Sequence, residues 1–398
     1  MSQTESTLSR LCLGVIALLA ALSTACSTQR PARLLTPQEM SSPPTLMVGD
    51  PAPPIVFEGW AQGEPIAGFE PGRVYVLDFW APWCGPCIAA MPHLSALQER
   101  FAGDVVIVAV GIVDESSSPS WIRRTVGEVG PDLRVRVAID EDCAATEAYR
   151  VAVRDLAIPR SFIVDRAGRL AWYGHPMKLD APLAAVVDGT WDIEAAARDA
   201  ERRGEVARVT RAHVAEYLAA DQRGDAAAML ASAEAVSTFS VEEAQGMSPP
   251  WWAWTARVRL LVNSGRVDEA TKVARDSMDV RGVGDEPVAL AEMATTLAPQ
   301  ERATSVALAE RAVTLVKASE AAPPTDSWAE YIQQASMLQH AAALADAATA
   351  LAAAGRFDEA IELQRIAVGR WPENPHLIPS RAELTQALNR YEAAAGRR

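Results

Sequence analysis

Two cysteines, Cys84 and Cys87, stand two residues apart in the stretch Trp83-Cys84-Gly85-Pro86-Cys87, in a chain of 398 residues that holds only five cysteines. Thiols at this spacing serve three chemistries: a dithiol/disulfide couple, half of a zinc site, or a short structural staple. Zinc needs two further ligands at compatible spacing. The other cysteines beyond the N-terminal apolar stretch, Cys26 and Cys143, lie in no second CxxC. A staple across so short a loop restricts the unfolded chain only slightly. Redox exchange is therefore the favoured chemistry of the pair, with the other two still open.

The elements around the pair bear on its reactivity. Residues 73–80 (RVYVLDFW) form a short run of β-formers bounded by Gly72, which reads as a buried strand. The stretch 88–101 carries apolar residues at helical spacing, so WCGPC spans a strand-to-helix turn. Cys84 then falls at a helix N-terminus, where free N–H groups and the helix dipole favour a thiolate. Pro86 suits the first turn of that helix. Further strands are expected over 104–111, 134–139, 161–165 and 169–173, and helices over 121–129 and 143–149. Alternating strands and helices predict an α/β domain.

With these residues in place, the segment Asp78-Phe-Trp-Ala-Pro-Trp-Cys-Gly-Pro-Cys87 resembles the active-site segment of the thioredoxin superfamily. Pro92 matches the proline that kinks that family's active-site helix. Ile158-Pro159 resembles its cis-proline turn. The lead-in 48–53, the long insert between Val110 and Arg134, and the stretch 170–176 are closer to the exported TlpA-like and redoxin branch. The resemblance covers residues 46–192, a little over a third of the chain. It implies an α/β thioredoxin-like domain, a central mixed sheet flanked by helices. It also implies that Cys84 attacks and Cys87 resolves the mixed disulfide, through a redox-active Cys84–Cys87 disulfide with no cofactor and no metal. Pro159 would pack beside Cys84, the backbone at Ile158 would pair with a bound substrate chain, and Trp83 would wall the site. Asp78, a carboxylate in an apolar strand, is expected to have a raised pKa and to exchange the proton of Cys87. Arg160, where relatives often carry a small or hydroxylated residue, bears on substrate preference. His175 and Cys143 read as ordinary loop and helix-packing residues.

The ends of the chain differ in kind. Residues 11–22 (LCLGVIALLAAL) are almost unbroken apolar sequence after Arg10. A twelve-residue helix spans about 18 Å, short of a bilayer core of about 30 Å, and so fits a signal-peptide core over 1–25. Small residues before Cys26 resemble a lipoprotein cleavage site, with Cys26 as the lipidated residue. Residues 26–46 form a Pro-rich tether. The thioredoxin-like domain is assigned to 47–192. Beyond it, 193–398 is Ala-rich, with helical periodicity over 206–220, 251–263, 267–278, 301–316 and 341–354. Asn263-Ser-Gly-Arg-Val-Asp-Glu-Ala270 recurs as Ala353-Ala-Gly-Arg-Phe-Asp-Glu-Ala360. With Ala367 and Pro372, this resembles a tetratricopeptide repeat, implying an all-α helical-repeat (TPR-like) domain.

A formal net charge of −14 gives no footprint for nucleic acid. The combined expectation is an exported thiol–disulfide oxidoreductase of the periplasm or cell envelope, held at the membrane if Cys26 is acylated. It would work as a protein disulfide reductase on protein thiols and disulfides, fed by a membrane electron donor, with a possible protein ligand on its helical repeats. The alternative is a redox-regulated interaction scaffold in which the repeats are the functional part.

Overall fold

The computed structural model describes residues 42–57, 59–239, 251–321, 327–371 and 380–396. The expected signal segment, Cys26, most of the tether, and Pro372 lie outside the described residues. None of the described helices is long and apolar enough to cross a membrane.

The first unit is built on one six-stranded sheet: β1 (Gly59–Gln62), β2 (Val74–Trp80), β3 (Val105–Ile112), β4 (Arg136–Asp140), β5 (Arg160–Val164) and β6 (Leu170–Gly174), in the order β1-β4-β3-β2-β5-β6. The central strands β2, β3 and β4 run parallel, while β5, β6 and β1 are antiparallel to their neighbours. The parallel pairs require helical crossovers. These are α1 (Gly85–Arg100) between β2 and β3, and α2 (Pro119–Val129) between β3 and β4. Every residue of β2 and β3 is buried, as expected for strands covered on both faces. Because alternate residues share a face, Val74, Val76 and Trp80 pack with Cys84, Cys87 and Met91 on the α1 side. Tyr75, Leu77 and Phe79 face the opposite layer with Tyr149, Phe162 and Tyr173.

The expected strands and helices of this unit are present with ends displaced by one to three residues. The sequence reading lacked β1, a four-residue edge strand (GWAQ) with no clear alternation, and α4 (Asp180–Val187). The segment expected as a helix over 143–149 opens as one short turn, α3 (Ala144–Thr146), and continues as a π-helical turn over Glu147–Val151. Cys143 precedes it in the left-handed region, φ 61°, with its thiol buried.

The rest of the chain is helical: α5 (Ile193–Arg223), α6 (Ala226–Ser237), α7 (Trp251–Asn263), α8 (Val267–Ser277), α9 (Pro287–Leu297), α10 (Arg302–Ala321), α11 (Ser327–Ala353), α12 (Phe357–Arg370) and α13 (Arg381–Ala395). Its core is dominated by alanine and leucine; Ala341, Ala347, Ala348 and Ala350 are fully buried. Such small side chains let helices approach closely. The two copies of the repeated motif make the same turn. Gly265 and Gly355 both take a left-handed φ (75° and 77°), and the following N–H groups of Arg266 and Arg356 bond back to Leu261 and Leu351. Arg266 then clasps Glu269, and Arg356 clasps Glu359. The first turns of α5 belong to the α/β layer, since Ile193, Ala196, Ala197 and Ala200 pack into its core. Helix α11 also touches the active-site helix α1.

Candidate active site

The strand β2 ends at Trp80, and Ala81-Pro82-Trp83 carries the chain from its C-terminal end to Cys84. Cys84 is the N-cap of α1, with extended φ/ψ (−88°, 92°), and its Sγ accepts the N–H of Cys87 at 3.2 Å. Pro86 occupies the first turn, where its missing N–H leaves no intrahelical bond unmade. There is no acidic side chain in that turn to oppose a thiolate. The two cysteines form a disulfide, Sγ–Sγ 2.05 Å. Cys84 is 4% exposed and Cys87 1%, while Trp83 beside them is 49% exposed. Pro92 lies inside α1.

Beneath α1, Asp78 sits in the middle of β2 on the same face as the cysteine cluster. It is 2% exposed. Its partner across the sheet is Ser161 of β5, whose hydroxyl donates to Asp78 Oδ1 at 2.6 Å. Burial pushes the Asp78 carboxyl up from 3.8 to about 7, against the opposing pull of the Ser161 hydroxyl and the Arg160 charge. At neutral pH Asp78 is therefore partly protonated. Ser161 was not recognisable as part of the site from the sequence, because strand register is set by the sheet and not by spacing along the chain.

The Ile158–Pro159 peptide is cis, at the entry to β5; Pro159 is buried and Ile158 half-buried. Arg160, the departure from the familiar pattern, is buried and turned inward, paired with Asp155 at 2.9 Å. It thus reaches Asp78 as a charge from within the fold. His175 accepts the Met177 N–H at its Nδ1, and burial together with Arg160 lowers it from 6.5 to about 4. It is neutral at physiological pH. The Cys143 thiol is pushed up to about 11 by burial and by Asp140, which keeps it protonated and poorly nucleophilic.

A Cys-x-x-Cys disulfide at a helix N-terminus, over a buried carboxyl and on a mixed sheet of this order, defines a thioredoxin-like domain. Residues 47–181 match the family model for Redoxin, and this first unit is a thioredoxin-like redoxin of the thiol–disulfide oxidoreductase class. Among its relatives, the chain is 28% identical over 165 residues to protein FixW of Rhizobium leguminosarum, covering 40% of this chain and 75% of that one. It is 28% identical over 129 residues to the thiol:disulfide interchange protein HelX of Rhodobacter capsulatus, 32% of this chain and 67% of that one. To the thiol-disulfide oxidoreductase ResA of Bacillus cereus it is 28% identical over 99 residues, 25% of this chain and only 53% of that one.

Proposed function

We propose that this protein is an exported protein disulfide reductase working through Cys84 and Cys87. The observation that carries the reading is the Cys84–Cys87 couple capping α1 on the sheet face that the buried Asp78 shares. In the reduced enzyme the Cys84 thiolate attacks a client disulfide. One client sulfur leaves as a thiolate and a mixed disulfide forms at Cys84. Asp78 takes the proton of Cys87, whose sulfur attacks Cys84, re-forming the intramolecular disulfide and releasing the second client thiol. Two electrons pass from the dithiol to the client. Its position as the N-cap of α1 supports Cys84 as the attacking sulfur. Trp83 and the Ile158 backbone are the groups that would meet the client chain.

Export rests on the apolar run 11–22, and membrane tethering on the small residues before Cys26. The names of HelX and ResA, an interchange protein and an oxidoreductase, support protein thiols and disulfides as substrates. A membrane donor would re-reduce Cys84–Cys87. The helical unit, with its two matching Gly-Arg turns, reads as a TPR-like surface for a protein partner. Insulin reduction by the whole chain tests the core of this reading. The wild type should turn over with dithiothreitol as donor, and Cys84→Ser should lose activity to background. Cys87→Ser should accumulate mixed disulfides with clients. Wild-type-like turnover by Cys84→Ser would overturn the reading of these thiols as the catalytic couple.

A further inference from the structure

The segment that leads from the π-helical turn 147–151 into β5 is held by side chains and not by its own backbone. Arg154, at its start, takes a left-handed φ of 61°, and the Asp155 N–H bonds back to the Arg150 carbonyl at 2.9 Å. From Leu156 to Ile158 no backbone–backbone hydrogen bond fixes the chain among the described residues. Instead, the Arg150 guanidinium donates to the Leu156 carbonyl. The Ala157 N–H donates to Asp155 Oδ1 at 3.2 Å, and Arg160 Nη2 stands 3.0 Å from that oxygen and 2.9 Å from Oδ2. Both arginines are buried, each 6% exposed. Both lie on the face of the sheet away from the dithiol. Arg160 pairs in register with Phe79 while Ser161 pairs with Asp78, and the Arg150 guanidinium lies over the Phe79 ring, 5.9 Å from its centre. Neither, therefore, is placed to touch a group reacting at Cys84.

What they hold is next to the dithiol. Ile158 packs against the cluster that contains Cys84 and Cys87, and neither its N–H nor its carbonyl has a hydrogen-bond partner among the described residues. Backbone left open in this way pairs with an extended chain at least cost when its own conformation is fixed beforehand. We infer that Arg150 and Arg160 are positioning residues that preset the turn 155–158, so that the Ile158 backbone accepts an extended polypeptide and protein disulfides are preferred to small ones. This role rests on the reductase reading of Cys84 and Cys87. Buried ion pairs add little to stability once desolvation is counted, and each arginine leaves its Nε without a partner among the described residues. Their contribution is to the shape of the turn.

The test gives the whole chain two disulfides: insulin, with dithiothreitol as donor, and 2-hydroxyethyl disulfide, which has no peptide backbone, added to the pre-reduced protein. Arg150→Lys and Arg160→Lys keep the positive charge but lose the reach and planar geometry that hold the turn. Each should raise KM for insulin about tenfold, the scale of one lost charge-assisted hydrogen bond, with kcat within about twofold of wild type. The rate with 2-hydroxyethyl disulfide should stay the same, whereas damage to the dithiol or to the fold would slow both reactions. Insulin kinetics equal to wild type, a fall in kcat at unchanged KM, or an equal loss on both disulfides overturns the inference. So does a wild type active on the small disulfide alone. If neither arginine variant folds, as judged by its circular dichroism melt, Asp155→Asn decides, with the same split expected at about threefold. A wild type inactive towards both disulfides removes the reductase reading itself, and these roles with it.

Discussion

Replacing Asp78 with Asn should stabilise the oxidised protein at alkaline pH while impairing it as a catalyst. In the unfolded chain the carboxyl titrates near 3.8, and in the folded protein near 7. A group whose pKa is raised by folding contributes stability below its unfolded value, and that contribution is lost as pH rises through the folded value. Near pH 4, Asp78 is protonated in the folded state and about half ionised in the unfolded one, so wild type and variant should be equally stable to within about 1 kcal/mol. Above pH 8 it is ionised in both, and the folded state carries the burial penalty. About three pKa units at 1.36 kcal/mol each give a penalty of about 4 kcal/mol, which Asn removes while keeping an oxygen for the Ser161 hydroxyl. Urea unfolding at pH 4 and pH 8.5 measures this, with pulsed hydrogen exchange on peptides from β2 and β5 to score the first unit separately from the helical one. The variant should gain increasingly from pH 4 to 7 and then level off. A difference between the proteins that is the same at both pH values would refute the assignment of a buried, late-ionising carboxyl. In parallel, insulin reduction by Asp78→Asn should fall about 10²-fold, the scale of a lost proton acceptor.

Ser161→Ala removes the hydrogen bond that holds the Asp78 pKa down, so the ionisation near pH 7 in the pH–rate profile should move to higher pH; an unmoved profile would count against that contact. His175, held near 4, should show no imidazole titration by NMR between pH 5 and 8, and a step at 6–7 would contradict its burial beside Arg160. Gly284→Ala would put a Cβ 2.1 Å from the Met278 carbonyl oxygen. It should destabilise the helical unit by about 3 kcal/mol, seen as a lowered calorimetric transition, while insulin reduction at 25 °C persists.

The dithiol, the helix it caps and the carboxyl beneath it were legible in the sequence because each rests on local chemistry. CxxC spacing sets which sulfurs can meet, Pro86 marks a helix start, and an aspartate within VYVLDFW is expected to be buried, as it is. The Gly-Arg turns of the helical unit were legible for the same reason, since a left-handed residue before a helix calls for glycine. Tertiary structure alone decided what is brought together from distant segments. Ser161 reaches Asp78 because β5 pairs antiparallel with β2 in one register of many. Arg160 proves to be an inward charge held by Asp155. Local sequence specifies which groups can react. The fold specifies their partners, since register, burial and charge pairing are properties of segments that meet only in space.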